Sequence, residues 1–333
     1  MSRIVGIDIG KAWLDVDALG KLFRLQNNRA GFAELLRRSR PPRGDCCYVC
    51  ESGSYGRALI KYLHDQEAEV CVVSPLRVRQ FGYATGAKAK TDRLDASLIK
   101  RFAATLKPPR SLPVERWVER LRAIMRRRQQ IVDIARNQKN QKEYLQGKRF
   151  RNQAEQIIEL LAEQADSLFE EALRVINQRS ALRRKMLVLL STVGVGEICG
   201  VQLLAEMPEL GRLNRREVAA LAGLAPYNND SGARSGKRSI HGGRGYARRA
   251  LFMAAFHASR INPILAAFYD RLVRKGKPRR VCRIAVMRKL LVYLNARIRE
   301  SDAGNDVQPP PKITPSLIRQ LCKAKVMRAK TTV

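Results

Sequence analysis

The run KPPRSLP at residues 107–113 divides the chain into two parts that do not share a fold class. Before it, short apolar runs with a two-residue period alternate with helical spacings, and turn residues separate them. After it, apolar positions recur at steps of three and four for dozens of residues. A period of two suits a pleated strand and a period near 3.6 suits a helix. A sheet-containing domain therefore ends at the prolines, and a helical one begins beyond them.

In the first part, residues 3–8 (RIVGID) read as a buried strand ending on Asp8. Gly10 and Lys11 turn the chain, residues 12–18 alternate as a second strand, Gly20 turns it again, and residues 22–26 make a third. Residues 30–38 have helical spacing, 46–50 form a strand that delivers Glu51, 55–64 a helix, and 70–73 a strand stopped by Ser74 and Pro75. Three opening strands followed by alternating helix and strand imply an α/β domain with a mixed sheet. A further helix opens after Lys88 and Lys90 with Thr91 as N-cap, and its Asp92 and Asp95 share one face. Taken alone, such acids complement the helix dipole. Taken as a set, Asp8 and Glu51 at strand ends and Asp92 and Asp95 on a crossing helix can converge on one cleft. Carboxylates there repel one another unless a divalent cation such as Mg²⁺ sits among them.

In the second part, positions 117 to 145 carry one seam at alternating steps of four and three. A cleaner seam runs from Ile158 through Leu161, Leu168 and Val175 to Leu189. Gly147 and KRFRN separate the two, so the spacing predicts an antiparallel coiled-coil hairpin with arms of about 35 residues. Such a hairpin either joins subunits or packs within one. Two helical patterns then meet at Gly194-Val195-Gly196, resembling a helix–hairpin–helix whose turn offers N–H groups to a phosphate.

The stretch from Ala222 to Ala250 leaves an apolar segment and opens into a loop with five glycines between Gly232 and Gly245. Ser231 stands at its head, and Lys237, Arg238, Arg244, Arg248 and Arg249 follow. Glycines let backbone N–H groups approach an anion, and arginines add fixed charge, so the hydroxyl is placed to meet a phosphodiester. The same composition fits a flexible basic loop on a nucleic-acid surface. From Ser231 to Arg299 there are 18 Lys and Arg against Asp270 alone. The whole chain carries a formal net charge of +34, which calls for a polyanionic partner. No segment reaches the roughly 18 apolar residues that span a bilayer, and no signal peptide precedes Ile4, so a cytoplasmic, nucleoid-associated protein without a membrane partner is expected. Of the seven cysteines, Cys47 and Cys50 have C-x-x-C spacing but no second pair, which suits reduced core thiols better than zinc. The tail from Pro309 reads as a solvated basic arm.

GIDIGK with Asp8, ES-x-x-Y-G with Glu51, and K-x-K-T-D-x-x-D-A with Asp92 and Asp95 resemble the RuvC-like domain of the DEDD transposases. LAGLAP, then NDSG with Ser231, then GGRG-x-x-RRAL with Arg248 and Arg249 resemble that family's second domain. These are insertion-sequence recombinases guided by a bridge RNA. The resemblance implies an α/β RuvC/RNase H-like domain over 1–107, a coiled-coil hairpin over 114–186, and an all-α serine-bearing domain with a helix–hairpin–helix-like element over 187–300. A basic tail over 301–333 follows. It also implies that the four acids bind Mg²⁺ and that Ser231 forms a covalent phosphoserine link to DNA. A structured noncoding RNA pairs with target and donor DNA, and subunits assemble as dimers to tetramers. Lys88, Lys90, Gly194, Gly196, Lys237, Arg238, Arg244, Arg248 and Arg249 are the expected nucleic-acid contacts. The competing readings are a metal-only RuvC-like nuclease or Holliday-junction resolvase, and a non-enzymatic nucleic-acid-binding scaffold.

Overall fold

The computed structural model describes residues 3–39, 46–86, 92–228, 236, 238–304, 310–321 and 324, with the side chains of 92–94 outside that description. It comprises two units, Met1–Val114 and Glu115–Val333. Among the described residues no single helix is long and apolar enough to cross a membrane.

The first unit runs β1 (Arg3–Ile9), β2 (Trp13–Ala18), β3 (Lys21–Gln26), α1 (Arg29–Ser39), β4 (Cys46–Glu51), α2 (Arg57–Asp65), β5 (Glu69–Val73), α3 (Pro75–Ala84) and α4 (Asp92–Leu106). Its sheet has the order β3-β2-β1-β4-β5. β1, β2 and β3 pair antiparallel as a meander, while β4 and β5 lie parallel to β1. The mixed sheet expected from the sequence is therefore present. The parallel strands β1, β4 and β5 bury both faces, as parallel strands between helices do. Val5, Ile7, Tyr48, Cys50 and Val70 pack on one face with Phe32 and Leu35 of α1 and Leu59 and Leu63 of α2. Val49, Cys71 and Val73 pack on the other with Val78 of α3 and Ile99 and Phe102 of α4. The three-residue offset of Cys47 and Cys50 puts their thiols on opposite faces of β4, so they cannot chelate one ion. Burial pushes the Cys50 thiol up to about 12, and the Cys47 thiol, which also meets Cys71 at 3.3 Å, to about 12 as well.

The second unit runs α5 (Arg116–Lys142), α6 (Lys148–Asn177), α7 (Ser180–Ser191), α8 (Glu197–Glu206), α9 (Arg215–Leu221), β6 (Pro226–Tyr227), β7 (Ser239–Ile240), α10 (Gly245–Ile261), α11 (Pro263–Arg274) and α12 (Arg279–Ala303). α5 and α6 form an antiparallel pair, tied at one end by Lys142–Glu155 and at the other by Arg120–Glu171 at 3.1 Å. Leu121, Ile124 and Ile131 on α5 and Ala165, Ala172 and Val175 on α6 are buried, so the expected seams turn inward within the chain. The arms have 27 and 30 residues, shorter than the spacing suggested. The second seam is not one helix: Arg179 is extended, at φ −132° and ψ 120°, and Leu182, Met186 and Leu189 belong to α7.

One contact accounts for both that break and the fate of the tail. Asn177 donates its Nδ2 to the Ile313 carbonyl at 2.9 Å and accepts from the Ile313 amide at 2.7 Å. Arg183 bridges the Asn177 and Pro310 carbonyls. Ile313 and Ile318 are buried in the same core as α7 and α12. Residues 310–321 are therefore a docked segment, helical from 315, and not the solvated arm expected from composition. Its isoleucines outweigh its charge once they find the groove. Asn177→Ala leaves the Ile313 amide without its acceptor and should cost about 1–3 kcal/mol. Denaturant unfolding checks the loss, and limited proteolysis of the folded protein should cut within 310–321 in the variant first.

Candidate active site

The acids come together through strand register. β1 and β4 run parallel with Ile7 beside Cys50, so Asp8 and Glu51, one residue further on, stand side by side near the ends of neighbouring strands. By the alternation of the pleat they share the face of Gly6 and Val49. α4 crosses that face in close contact: a Cβ on Gly6 would fall 2.2 Å from the Ala96 carbonyl oxygen and 2.8 Å from Lys100. Only glycine admits the helix there. Its first turn, with Asp92 and Asp95, is thereby brought to the strand ends. The half-buried Glu51 carboxyl is held above its ordinary value, first by burial and then by the charges of Asp8 and Asp95, with Arg79 of α3 opposing. Glu51 thus feels two of the other three acids, from two separate elements. The carboxylate of Asp92 lies outside the described residues, as do Lys88 and Lys90. Among the described residues no three such donors stand close enough to ligate one ion. The donor chemistry nevertheless fits a hard divalent cation, since crowded carboxylate oxygens are relieved by such a charge.

Two further acids adjoin the cleft that the sequence did not single out. Asp15 of β2 lies opposite Asp8, and Asp17 lies opposite Gly6. Asp15 is only 5% exposed and accepts from Arg24 Nε and Nη2 at 2.9 and 2.8 Å, a bidentate pair that neutralises it. Asp17 accepts from Ser97 Oγ at 2.7 Å and Lys100 Nζ at 2.5 Å, both on α4. These two fix the sheet and the helix that carry the candidate acids. The signal was the spacing in WLDVDA, where two acids fall on one face of a strand.

In the second unit Ser231 and Lys237 lie outside the described residues, but both ends of their loop are defined. β6 and β7 pair through Pro226–Ile240 and Tyr227–Ser239, and Tyr227 stacks on His241 with ring centres 4.1 Å apart. This pairing fixes the described residues on either side of the 229–235 stretch. The glycines do backbone work. Gly223 and Gly243 have φ of +68° and +66°, and a Cβ on Gly243 would fall 2.1 Å from the Gly223 nitrogen. The loop's return thus presses on the end of α9, and Arg244 N donates to the Leu221 carbonyl.

The arginines divide by task. Arg244, expected to face nucleic acid, donates to both Glu209 oxygens at 2.6 and 2.7 Å and to the Glu206 carbonyl. Burial alone would raise the Glu209 carboxyl, but Arg244 brings it below its ordinary value. Arg248 donates to the Gly242 carbonyl at 2.6 Å, bracing the loop. Arg238 and Arg249 are exposed. Gly194, at φ +96°, is required because a Cβ would meet Ala258 of α10 at 2.5 Å, whereas Gly196 caps α8 in open space.

The chain is similar to known mobile-element proteins along most of its length. A family model described as a transposase, of DEDD and IS110 type, matches residues 5–147. A second, for transposases of the IS116/IS110/IS902 family, matches residues 186–270. The pilin gene-inverting protein of Moraxella bovis is 26% identical over 313 residues, covering 89% of this chain and 96% of its own. The protein of that name from Moraxella lacunata matches to the same extent. An uncharacterized 42 kDa protein of insertion element IS900 from Mycobacterium paratuberculosis is 32% identical over 133 residues, 38% of this chain and 32% of its own.

Proposed function

Because the chain belongs to the IS116/IS110/IS902 family of transposases, and is thus a DNA transposase or recombinase, we propose that it exchanges strands through a phosphoserine at Ser231, assisted by an Asp8, Glu51, Asp92 and Asp95 cation site. The observation that carries the acidic half is the crowding at Glu51, whose carboxyl is raised by burial and by Asp8 and Asp95 from two other elements at the end of a sheet. In the first step the Ser231 oxygen attacks the scissile phosphorus and loses its proton, and the leaving strand oxygen takes one up. The phosphate stays esterified, so no external energy is consumed. In the second step a hydroxyl of the incoming strand attacks the phosphoserine and Ser231 is released with its proton. Mg²⁺, when bound by the acids, would withdraw charge from the phosphate oxygens. β6, β7 and Gly243 order the chain that flanks the serine-bearing stretch, and Arg238 and Arg249 supply positive charge. Inversion of a DNA segment, as the name of the Moraxella relatives describes, is one outcome of such strand exchange.

The choice of target and donor DNA is assigned to a structured noncoding RNA, leaving the protein to bind backbone and shape. The +34 charge supports a polyanion partner of that size, and such binding would hold the protein at the nucleoid. Assembly into dimers or tetramers is assigned to the outer side of the hairpin, where Ile134, Ile157 and Leu160 are exposed. Sequencing of RNA co-purified with the protein should return one discrete species, and random fragments would count against guidance. Affinity for DNA should fall by orders of magnitude between about 50 and 200 mM salt, as several phosphate contacts require. A flat affinity across that range, measured by titration of a labelled duplex, would show that the charge serves another purpose.

A further inference from the structure

A cavity of about 720 Å³ opens where α5, the 192–196 turn with α8, and α10 meet in the second unit. Its walls are largely apolar, with Val132, Ile198, Met253 and Ala254 among them. Gln202 lines it, is only 7% exposed, and its carboxamide nitrogen has no hydrogen-bond partner. An unpaired buried amide is costly, and a native structure holds one where something else completes it. At the rim stands Tyr246, 37% exposed, with the guanidinium groups of Arg126 and Arg249 5.3 and 5.8 Å from its ring centre. Arg136 and Arg249 line the mouth, with Glu197 the acid among the lining residues.

We propose that this cavity receives a single unpaired nucleobase extruded from the bound nucleic acid. The chemistry of the wall selects that ligand. A base is a flat, mostly apolar ring that fits between apolar side chains, and its edge carries paired donors and acceptors. A glutamine carboxamide, with one donor and one acceptor side by side, is the side chain that matches such an edge. Tyr246 with its arginines is a stacking platform, and the basic rim meets the phosphates on either side of the extruded nucleotide. Mostly apolar walls with a few placed polar groups, at this volume, are what small-ligand sites show. Enzymes that extrude a base take it into a closed pocket of this kind. The inference rests on the chain's handling of nucleic acid, and holds whether or not Ser231 is the nucleophile.

The test compares two duplexes that differ by one base. One carries a single bulged adenosine and the other an abasic bulge at the same place, so backbone and kink are alike. The full-length protein should bind the adenosine bulge about tenfold more tightly, at the low end of what stacking and an edge contact contribute. Gln202→Leu and Met253→Trp should each abolish that preference. Gln202→Leu should melt no lower than the parent protein, because it replaces an unpaired polar group with an apolar one of similar size. Met253 is 52% exposed, so tryptophan there fills the cavity from its mouth and supplies a second variant should the first fold poorly. Equal affinity of the parent for both duplexes overturns the proposal and leaves nucleic-acid binding standing. A preference that survives both variants places the base elsewhere and overturns it too. No preference, together with a changed assembly mass in Met253→Trp, assigns the cavity to a side chain of a second copy. Binding to neither duplex would overturn the nucleic-acid reading itself.

Discussion

Replacing Glu51 with glutamine is expected to raise the melting temperature at neutral pH and to remove strand cleavage. Its carboxyl is raised above the ordinary 4.5 by burial and by Asp8 and Asp95. The ionised form is therefore disfavoured in the folded chain, and at pH above the raised value that cost is carried in full. As pH falls through the raised value toward the ordinary one, the native state takes up a proton that the unfolded chain does not yet hold, and stability recovers. Glutamine carries no such cost, so its advantage should be largest near pH 7 and vanish at about pH 4. A bound cation reverses the balance. Mg²⁺ at 100 times its dissociation constant should stabilise the parent protein by about 2.7 kcal/mol, and Glu51→Gln by much less. Cleavage should fall roughly a thousandfold or more, since the charge that draws electrons from the phosphate is lost with its ligand. Calorimetry with and without Mg²⁺ across pH 4–8, beside a cleavage assay, checks each part. A variant that melts lower than its parent and cleaves within tenfold of it would show Glu51 to be a structural residue.

Local pattern carried the first unit because its signals are local. Strands β1 to β5 end where turn residues stand, and Asp8 and Glu51 were legible as strand-end acids for that reason. Pro75 looks like a stop after a strand, yet it occupies the first turn of α3 after Ser74, a position that suits proline. Asp15 and Asp17 look like ordinary alternation, because their partners Arg24 and Lys100 are set by sheet pairing and helix placement. The errors in the second unit are contacts at long range. The seam through Arg179 looks continuous until Asn177 is clamped by a residue 136 positions away. The tail looks solvated until Ile313 and Ile318 are buried. Arg244 reads as an anion holder, and Glu209, 35 residues earlier, takes it. Of the five glycines between Gly232 and Gly245, Gly243 serves a contact of two backbones, against Gly223. That contact ties the start of α10 to the end of α9.

Ser231→Ala is expected to remove strand joining altogether while leaving RNA and DNA bound. A hydroxyl that only donates a hydrogen bond to the transition state is worth roughly 10²–10³ in rate. A hydroxyl that forms the covalent link has no substitute, and water attack would release the strand instead of conserving its ester. The size of the loss therefore separates the two roles. The most direct measurement is a denaturing gel of the protein incubated with radiolabelled donor DNA and Mg²⁺. The parent protein should carry label at the mass of a protein–DNA adduct, EDTA should abolish it, and Ser231→Ala should show none. Adduct undiminished in Ser231→Ala, or strand exchange slowed only about a hundredfold, would assign the chemistry to another nucleophile and contradict the phosphoserine mechanism.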